Sequence, residues 1–251
     1  MGGMSHDSML SETVEITGQD GHPVEAYAAR LLEGGPRGGI VVIHHMPGYD
    51  SATKEIVRRF AVEGYDAICP NLYYREAPGA APDDAAATAR ALGGVPDERL
   101  VGDVAGAVAW LKALPSSNGK VATIGYCSGG RQSWLANGSL DLDAAIVCYG
   151  AFIVGTPPEG FPLQVRSLAD LAPTQSGPVL GMFGNDDSHP SPEQVDEIEK
   201  LLQDNGKPYE FHRYDGAGHG FFAVDRTMYR PEAAVDGWEK ILAFLDRHVG
   251  A

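Results

Sequence analysis

Residues 120–130 read KVATIGYCSGG, an apolar run that breaks into a cysteine framed by glycines. Val121 to Ile124 is the kind of short unbroken apolar segment that a strand uses when both of its faces are buried. Gly125 and Gly129 stand two residues on either side of Cys127, and Gly130 follows. Where a strand turns abruptly into a helix, the central residue sits on a strained turn. Its flanks must then be tiny so that strand and helix can pack closely. The spacing predicts a strand ending at Tyr126, Cys127 on the turn, and a helix after Gly129.

The same alternation extends in both directions from this stretch. Upstream, GGIVVIHH (38–45) and YDAICP (65–70) read as buried strands, while KEIVRRFAVEG (54–64) and DERLVGDVAGAVAWLKAL (97–114) carry helical periodicity. Downstream, DAAIVCYG (143–150), PVLGMFG (178–184) and YEFHRYD (209–215) alternate with helical patterns at 192–206 and 233–248. Strands that alternate with helices build a mostly parallel sheet covered by helices on both faces. At the start, TVEIT (13–17) and PVEAYAARL (23–31) alternate apolar with polar around Gln19-Asp20-Gly21, which predicts an antiparallel hairpin at the sheet edge. Residues 1–10 are expected to form a flexible extension and 11–251 a single α/β domain. The Pro- and Gly-rich stretch from Phe152 to Gly177 reads as a surface excursion and a candidate lid.

Composition narrows the function. With 19 basic and 34 acidic residues the net charge is −15, so the average field repels phosphate backbones and anionic membranes, and nucleic acid is not an expected partner. An anionic small molecule would need a local cationic anchor. Cys69, Cys127 and Cys148 are too few and too scattered for a disulfide framework or a zinc site, which fits a reducing cytoplasm and predicts no metal. The first ten residues, MGGMSHDSML, lack the basic and apolar regions of an export signal, and no apolar run is long enough to span a membrane. The expected product is a soluble protein, a monomer or small homo-oligomer.

A cysteine at a helix N-terminus feels the positive end of the helix dipole, which favours the thiolate. The Ser128 N–H would face a developing oxyanion there. Ser128 is the alternative nucleophile, although the glycines centre on Cys127 because Tyr126 occupies the place where a Ser128-centred elbow wants glycine. In folds with such an elbow the order is nucleophile, acid, histidine. The loop after PVLGMFG offers Asp186 and Asp187, with Asp187 better spaced from Gly184. YDGAGHGFF (214–222) offers His219 between small residues. His6, His22, His44, His189, His212 and His248 are assigned to solvated loops or the core.

With these residues in place the chain resembles the dienelactone hydrolase family over nearly its whole length. GYCSGG (125–130), GNDD (184–187) followed by PSPEQ (190–194), YDGAGHGFF and PNLYYREAPG (70–79) carry the resemblance. It implies an α/β-hydrolase fold, no cofactor, and hydrolysis of a small ester or lactone through a thioester. Cys127 would be the nucleophile, Asp187 the orienter and His219 the base, with the Met46 N–H as second oxyanion donor beside Ser128. Arg75 falls where family members hold a substrate carboxylate by an arginine. Two positions depart from the pattern. Ala223 stands where a second arginine is expected, and His45 stands where members often carry a glutamate, which assigns His45 a tuning influence on Cys127. Tyr149, Phe152, Phe161, Phe221 and Phe222 are candidates for a pocket wall. A general esterase or thioesterase is the neighbouring alternative, and a non-catalytic binding scaffold is the alternative of another class.

Overall fold

β1 (Met9–Thr17) and β2 (Pro23–Leu31) pair antiparallel from Met9 opposite Leu31 to Thr17 opposite Pro23. The turn between them is a single 3-10 turn at Gln19–Gly21. The structure, a computed structural model, describes residues 8–250. Met9 and Leu10 belong to β1, which corrects the expected boundary of the N-terminal extension, and the rest of that segment up to Asp7, with His6, lies outside the described residues.

The chain continues through β3 (Arg37–Ile43), α1 (Ser51–Val62), β4 (Asp66–Pro70), α2 (Pro82–Ala91), α3 (Asp97–Lys112) and β5 (Ser117–Tyr126). It ends with α4 (Ser128–Ser139), β6 (Ala144–Cys148), β7 (Val179–Gly184), α5 (Pro192–Asp204), β8 (Tyr209–Tyr214) and α6 (Pro231–Val249). One eight-stranded sheet results, in the order β1-β2-β4-β3-β5-β6-β7-β8, parallel from β4 onward. This is the α/β-hydrolase fold. The short helix α2 is absent from the sequence reading because its buried face consists only of Ala85, Ala86 and Ala89, which leaves little apolar contrast.

The sheet strands explain their own burial. In β3, Val41 and Ile43 point into the layer that holds α2, α3, α4 and α5, while Ile40 and Val42 point into the layer that holds α1 and α6. A strand buried on both faces has no polar alternation, which is why GGIVVIHH is continuous. β3 sits between β4 and β5, so successive connections leave it in opposite directions. Such a switch point opens a crevice at the carboxyl ends of the strands. Ile43 pairs directly with Gly125, so the segments that follow β3 and β5 leave the sheet side by side.

The stretch from Phe152 to Gly177 is more firmly tied than a free excursion. Ile153, Val154 and Leu168 are buried, residues 169–174 form a 3-10 turn, and the Trp134 indole N–H donates to the Leu168 carbonyl at 3.1 Å. The Arg131 guanidinium adds a bond to the Arg166 carbonyl at 2.9 Å.

Candidate active site

Cys127 caps the N-terminus of α4 with φ 58° and ψ −121°, a left-handed conformation that a residue with a side chain adopts only under constraint. The constraint is visible on every side. Its N–H donates to the Cys148 carbonyl at 3.1 Å, and its own carbonyl accepts from Gly130 at 3.0 Å. A Cβ on Gly125 would lie 2.0 Å from the Gly129 carbonyl oxygen, and one on Gly129 would lie 2.3 Å from that of Ile43. One on Gly130 would lie 2.6 Å from the Cys148 oxygen. These clearances are why three glycines surround the cysteine. Cys69 and Cys148 are fully buried, and desolvation pushes both thiols up, whereas Cys127 is half-exposed.

Asp187 follows the end of β7 with its side chain only 3% exposed. One carboxylate oxygen accepts from the His189 N–H at 2.9 Å and the other from His219 Nδ1 at 2.8 Å. The neighbouring Asp186 is exposed, but its backbone N–H donates to the Ala217 carbonyl at 2.9 Å and joins the acid loop to the histidine loop. With Nδ1 turned to the carboxylate, the other edge of the ring is left toward Cys127, which is near enough to influence its titration. Burial disfavours a charged ring. The hydrogen bonds to Asp187 and then to Cys127 outweigh it and push His219 up to about 10. Tyr149, itself at φ 39°, packs on the ring with centroids 5.2 Å apart.

The segment after β3 is held by a histidine that the sequence reading left in the background. His44 is 2% exposed; its Nδ1 lies 2.9 Å from the His45 carbonyl, and its Nε2 accepts from the Leu72 N–H at 3.2 Å. A carbonyl can only accept and an amide N–H can only donate, so the two contacts select one neutral tautomer. Burial keeps the ring neutral by pulling it down to about 4. The same His45 carbonyl accepts from the Gly48 N–H at 2.9 Å. Because a peptide is planar, pinning the oxygen of the His45–Met46 peptide from two sides also fixes the direction of the Met46 N–H. The Tyr73 hydroxyl fixes the next peptide by donating to the Met46 carbonyl at 3.0 Å. Ser128 is the first residue of α4, so its N–H has no partner within the helix.

Residues 24–249 match the dienelactone hydrolase family. The chain belongs to this family. It is 31% identical over 245 residues to carboxymethylenebutenolidase of Pseudomonas putida, covering 94% of this chain and 97% of that protein. An Escherichia coli (strain K12) protein provisionally given the same name is 31% identical over 250 residues, which cover 97% of this chain and 89% of the relative. A crystal structure from Klebsiella pneumoniae, provisionally called a dienelactone hydrolase, superposes with a TM-score of 0.84 at 28% identity, covering 96% of this chain and all of that one.

Against this family background, Arg75 is the main correction. Its guanidinium grips Asp103 with both nitrogens, at 2.6 and 2.8 Å, and reaches the Gln19 carbonyl. Asp103 is fully buried and also accepts from the Gln19 N–H at 2.9 Å. Arg75 therefore ties the hairpin turn to α3, and the hollow that it lines with Asp20, His22 and Arg99 includes none of Cys127, Asp187 and His219. His45 is engaged too. Its Nε2 lies 2.8 Å from Asp50, whose other oxygen caps α1 through the Thr53 N–H at 2.8 Å. Phe221 is fully buried behind Tyr149, so it supports the wall without facing a pocket. Phe152 packs on Phe161 and on His189, away from the aromatic wall formed by Tyr149 and Phe222.

Ala223 lines a hollow of about 490 Å³ between the segment after β3, α1 and α6. Tyr126, Tyr149, Phe222 and Trp238 supply its aromatic wall, and Arg59 and His45 reach it from the polar side. Neither Arg59 nor Trp238 carried a sequence signal. Among the described residues no cluster of three or more acidic, histidine or cysteine side chains is disposed to hold a metal, and no helix is long and apolar enough to cross a membrane.

Proposed function

We propose that this member of the dienelactone hydrolase family hydrolyses a small carboxylic ester or lactone through a thioester on Cys127. The sulfur attacks the carbonyl carbon as thiolate, beside the His219 imidazolium and the N-terminus of α4. Negative charge moves to the carbonyl oxygen, where the N–H groups of Ser128 and Met46 receive it, the latter held in direction by His44. As the tetrahedral adduct collapses, the C–O bond breaks and His219 gives its proton to the leaving alkoxide. In a lactone that alcohol remains attached to the acyl group. His219, now neutral, takes a proton from water as the water oxygen attacks the thioester, and expulsion of the sulfur restores the starting pair. Asp187 keeps the ring oriented and stabilises its positive charge throughout. The chemistry needs no cofactor, and a cysteine nucleophile suits a reducing compartment such as the cytoplasm.

The observation that carries this reading is the alignment of Asp187, His219 and Cys127 at a turn strained enough to need glycine on both sides. The intact mass of the wild type and of Cys127→Ala, quenched within seconds of mixing with small lactones and aryl esters, tests it. A transient acyl adduct that requires Cys127 is expected. No adduct and no turnover of any panel member would put a non-catalytic scaffold in its place. Ala223 and the hollow behind it favour broad esterase activity as the second reading, which a panel of charged and neutral esters separates from lactone specificity.

A further inference from the structure

His45, Met46, Pro47 and Gly48 form a turn closed by the bond from the Gly48 N–H to the His45 carbonyl, with Gly48 at φ 107°. Among the described residues nothing accepts the Met46 N–H. The backbone around that free donor is nonetheless closely determined. The peptide that carries it is held at its oxygen by His44 Nδ1 and by the Gly48 N–H, both at 2.9 Å. The peptide that follows is held at its oxygen by the Tyr73 hydroxyl at 3.0 Å. With planar peptides pinned on both sides of one Cα, the two dihedrals of Met46 between them are set.

His44 and Tyr73 act as one unit, supported by the segment after β4. The Leu72 N–H donates to His44 Nε2 at 3.2 Å, and the rings of His44 and Tyr73 meet edge to face with centroids 4.7 Å apart. A Cβ on Gly48 would lie 3.2 Å from the Tyr73 ring. The segment is itself anchored: the Asn71 N–H donates to the Glu25 carbonyl at 2.8 Å, and the Asn71 side chain accepts from the Tyr73 N–H at 3.2 Å. Burial pushes the Tyr73 hydroxyl up and keeps its proton on, and Cys127 is close enough for its charge to be felt there. A hydroxyl has one proton to give, and here it goes to the Met46 carbonyl.

We propose that Tyr73 is a positioning residue for acyl transfer: through the Met46 carbonyl, and together with His44, it aims the Met46 N–H at the oxygen that gains charge when Cys127 attacks. The inference rests on the thioester reading of Cys127. It adds that the second oxyanion donor is set by residues from a different strand connection, the one after β4. The consequence is selective. A reaction that builds charge on a carbonyl oxygen needs the donor, whereas a reaction confined to sulfur does not.

The test sets two reactions of Cys127 against each other in the intact protein. Acylation by 4-nitrophenyl acetate, followed in a single turnover through the released nitrophenolate, passes through an oxyanion. Thiolation by methyl methanethiosulfonate does not, since the thiolate attacks sulfur and expels methanesulfinate; Cys69 and Cys148 are buried and do not compete. Tyr73→Phe keeps the ring against His44 and removes only the hydroxyl. Its acylation rate at saturation is expected to fall about tenfold with an unchanged half-saturating ester concentration, while thiolation stays within about twofold of the wild type. His44→Leu should show the same split, and His44→Asn, whose amide can replace Nδ1 at the His45 carbonyl, should recover part of the loss. An unchanged acylation rate in Tyr73→Phe, or equal falls in acylation and thiolation, overturns the assignment. A wild type that is thiolated at Cys127 yet forms no acyl adduct would instead overturn the thioester reading, and the positioning role with it. Because both rates are read on one preparation, partial misfolding of a variant does not imitate the split.

Discussion

The cysteine elbow and the hollow beside it share a wall, Tyr126, yet they are built by opposite means. The elbow is backbone against backbone: Gly125, Gly129 and Gly130 leave no room for a methyl group, and hydrogen bonds clamp both sides of Cys127. The hollow is side chain against side chain, with contributions from residues as far apart as Val42 and Trp238. A site can therefore hold its chemistry rigid through local backbone contacts while its neighbouring pocket varies by single side chains. Ala223 lines the pocket and is not among the residues whose backbone clearances build the elbow.

The largest expected effect lies on the rigid side. Asp187→Asn removes the carboxylate that orients His219, and kcat should fall by about 10²- to 10⁴-fold. The pH dependence gives the sign. His219 is raised to about 10, so its proton stays on through neutrality and leaves only as pH rises through that value. Removing Asp187 removes a raising partner, so the alkaline limb of Cys127 alkylation by iodoacetamide should move to lower pH. An alkaline limb that stays in place would show that Asp187 does not govern the ring. The same folded-state rise contributes stability that is complete below about 6.5 and fades toward pH 10.

Next in size is Gly129→Ala. Its new methyl would sit 2.3 Å from the Ile43 carbonyl oxygen, a backbone atom that cannot step aside alone. Urea denaturation should show a loss of about 2–4 kcal/mol or a failure to accumulate folded protein. By contrast, Ala223→Val, on the hollow side, should leave the urea midpoint nearly unchanged. Equal losses in the two variants would erase the distinction between the regions.

The elbow was legible because its constraint is local: glycine spacing around Cys127 records backbone clearances within a few residues. The pairing of Asp187 with His219 was legible because chain order is fixed by the topology of the sheet. The tasks of Arg75 and Arg59 were not. Both are arginines in plausible surroundings, and only folding reveals that fully buried Asp103 consumes the first while Trp238 displays the second. His44 was passed over for a related reason. Its importance lies in which carbonyl it holds, and that partner is adjacent in sequence to a residue, Met46, that looks like ordinary apolar filling. The helix α2 escaped because alanine alone marks its buried face.

Arg75 supplies a prediction of intermediate size. Arg75→Met leaves Asp103 buried without its cation, so stability should drop by about 2–4 kcal/mol in urea. The ratio of charged to neutral ester hydrolysis should not move. A fall in that ratio would return substrate anchoring to Arg75.

The smallest expected effect separates His45 from the chemistry. Asp50 is desolvated, which alone would raise it, yet the bonds from His45 and Thr53 bring it down to about 2. A carboxylate depressed in the folded state contributes stability that is present above its unfolded value of about 4 and lost as pH falls through the folded value. In His45→Gln one of the two lowering partners is weakened, so the folded value of Asp50 should rise and the acid loss should be smaller and end at higher pH, with a change of about 1 kcal/mol or less at neutrality. Because His45 is turned to Asp50, the pH profile of Cys127 alkylation should be unaltered. A shifted alkylation profile together with an unshifted acid limb would mean that the ring leaves Asp50 for the sulfur in solution, and His45 would then belong to the rigid region rather than to the variable wall of the hollow.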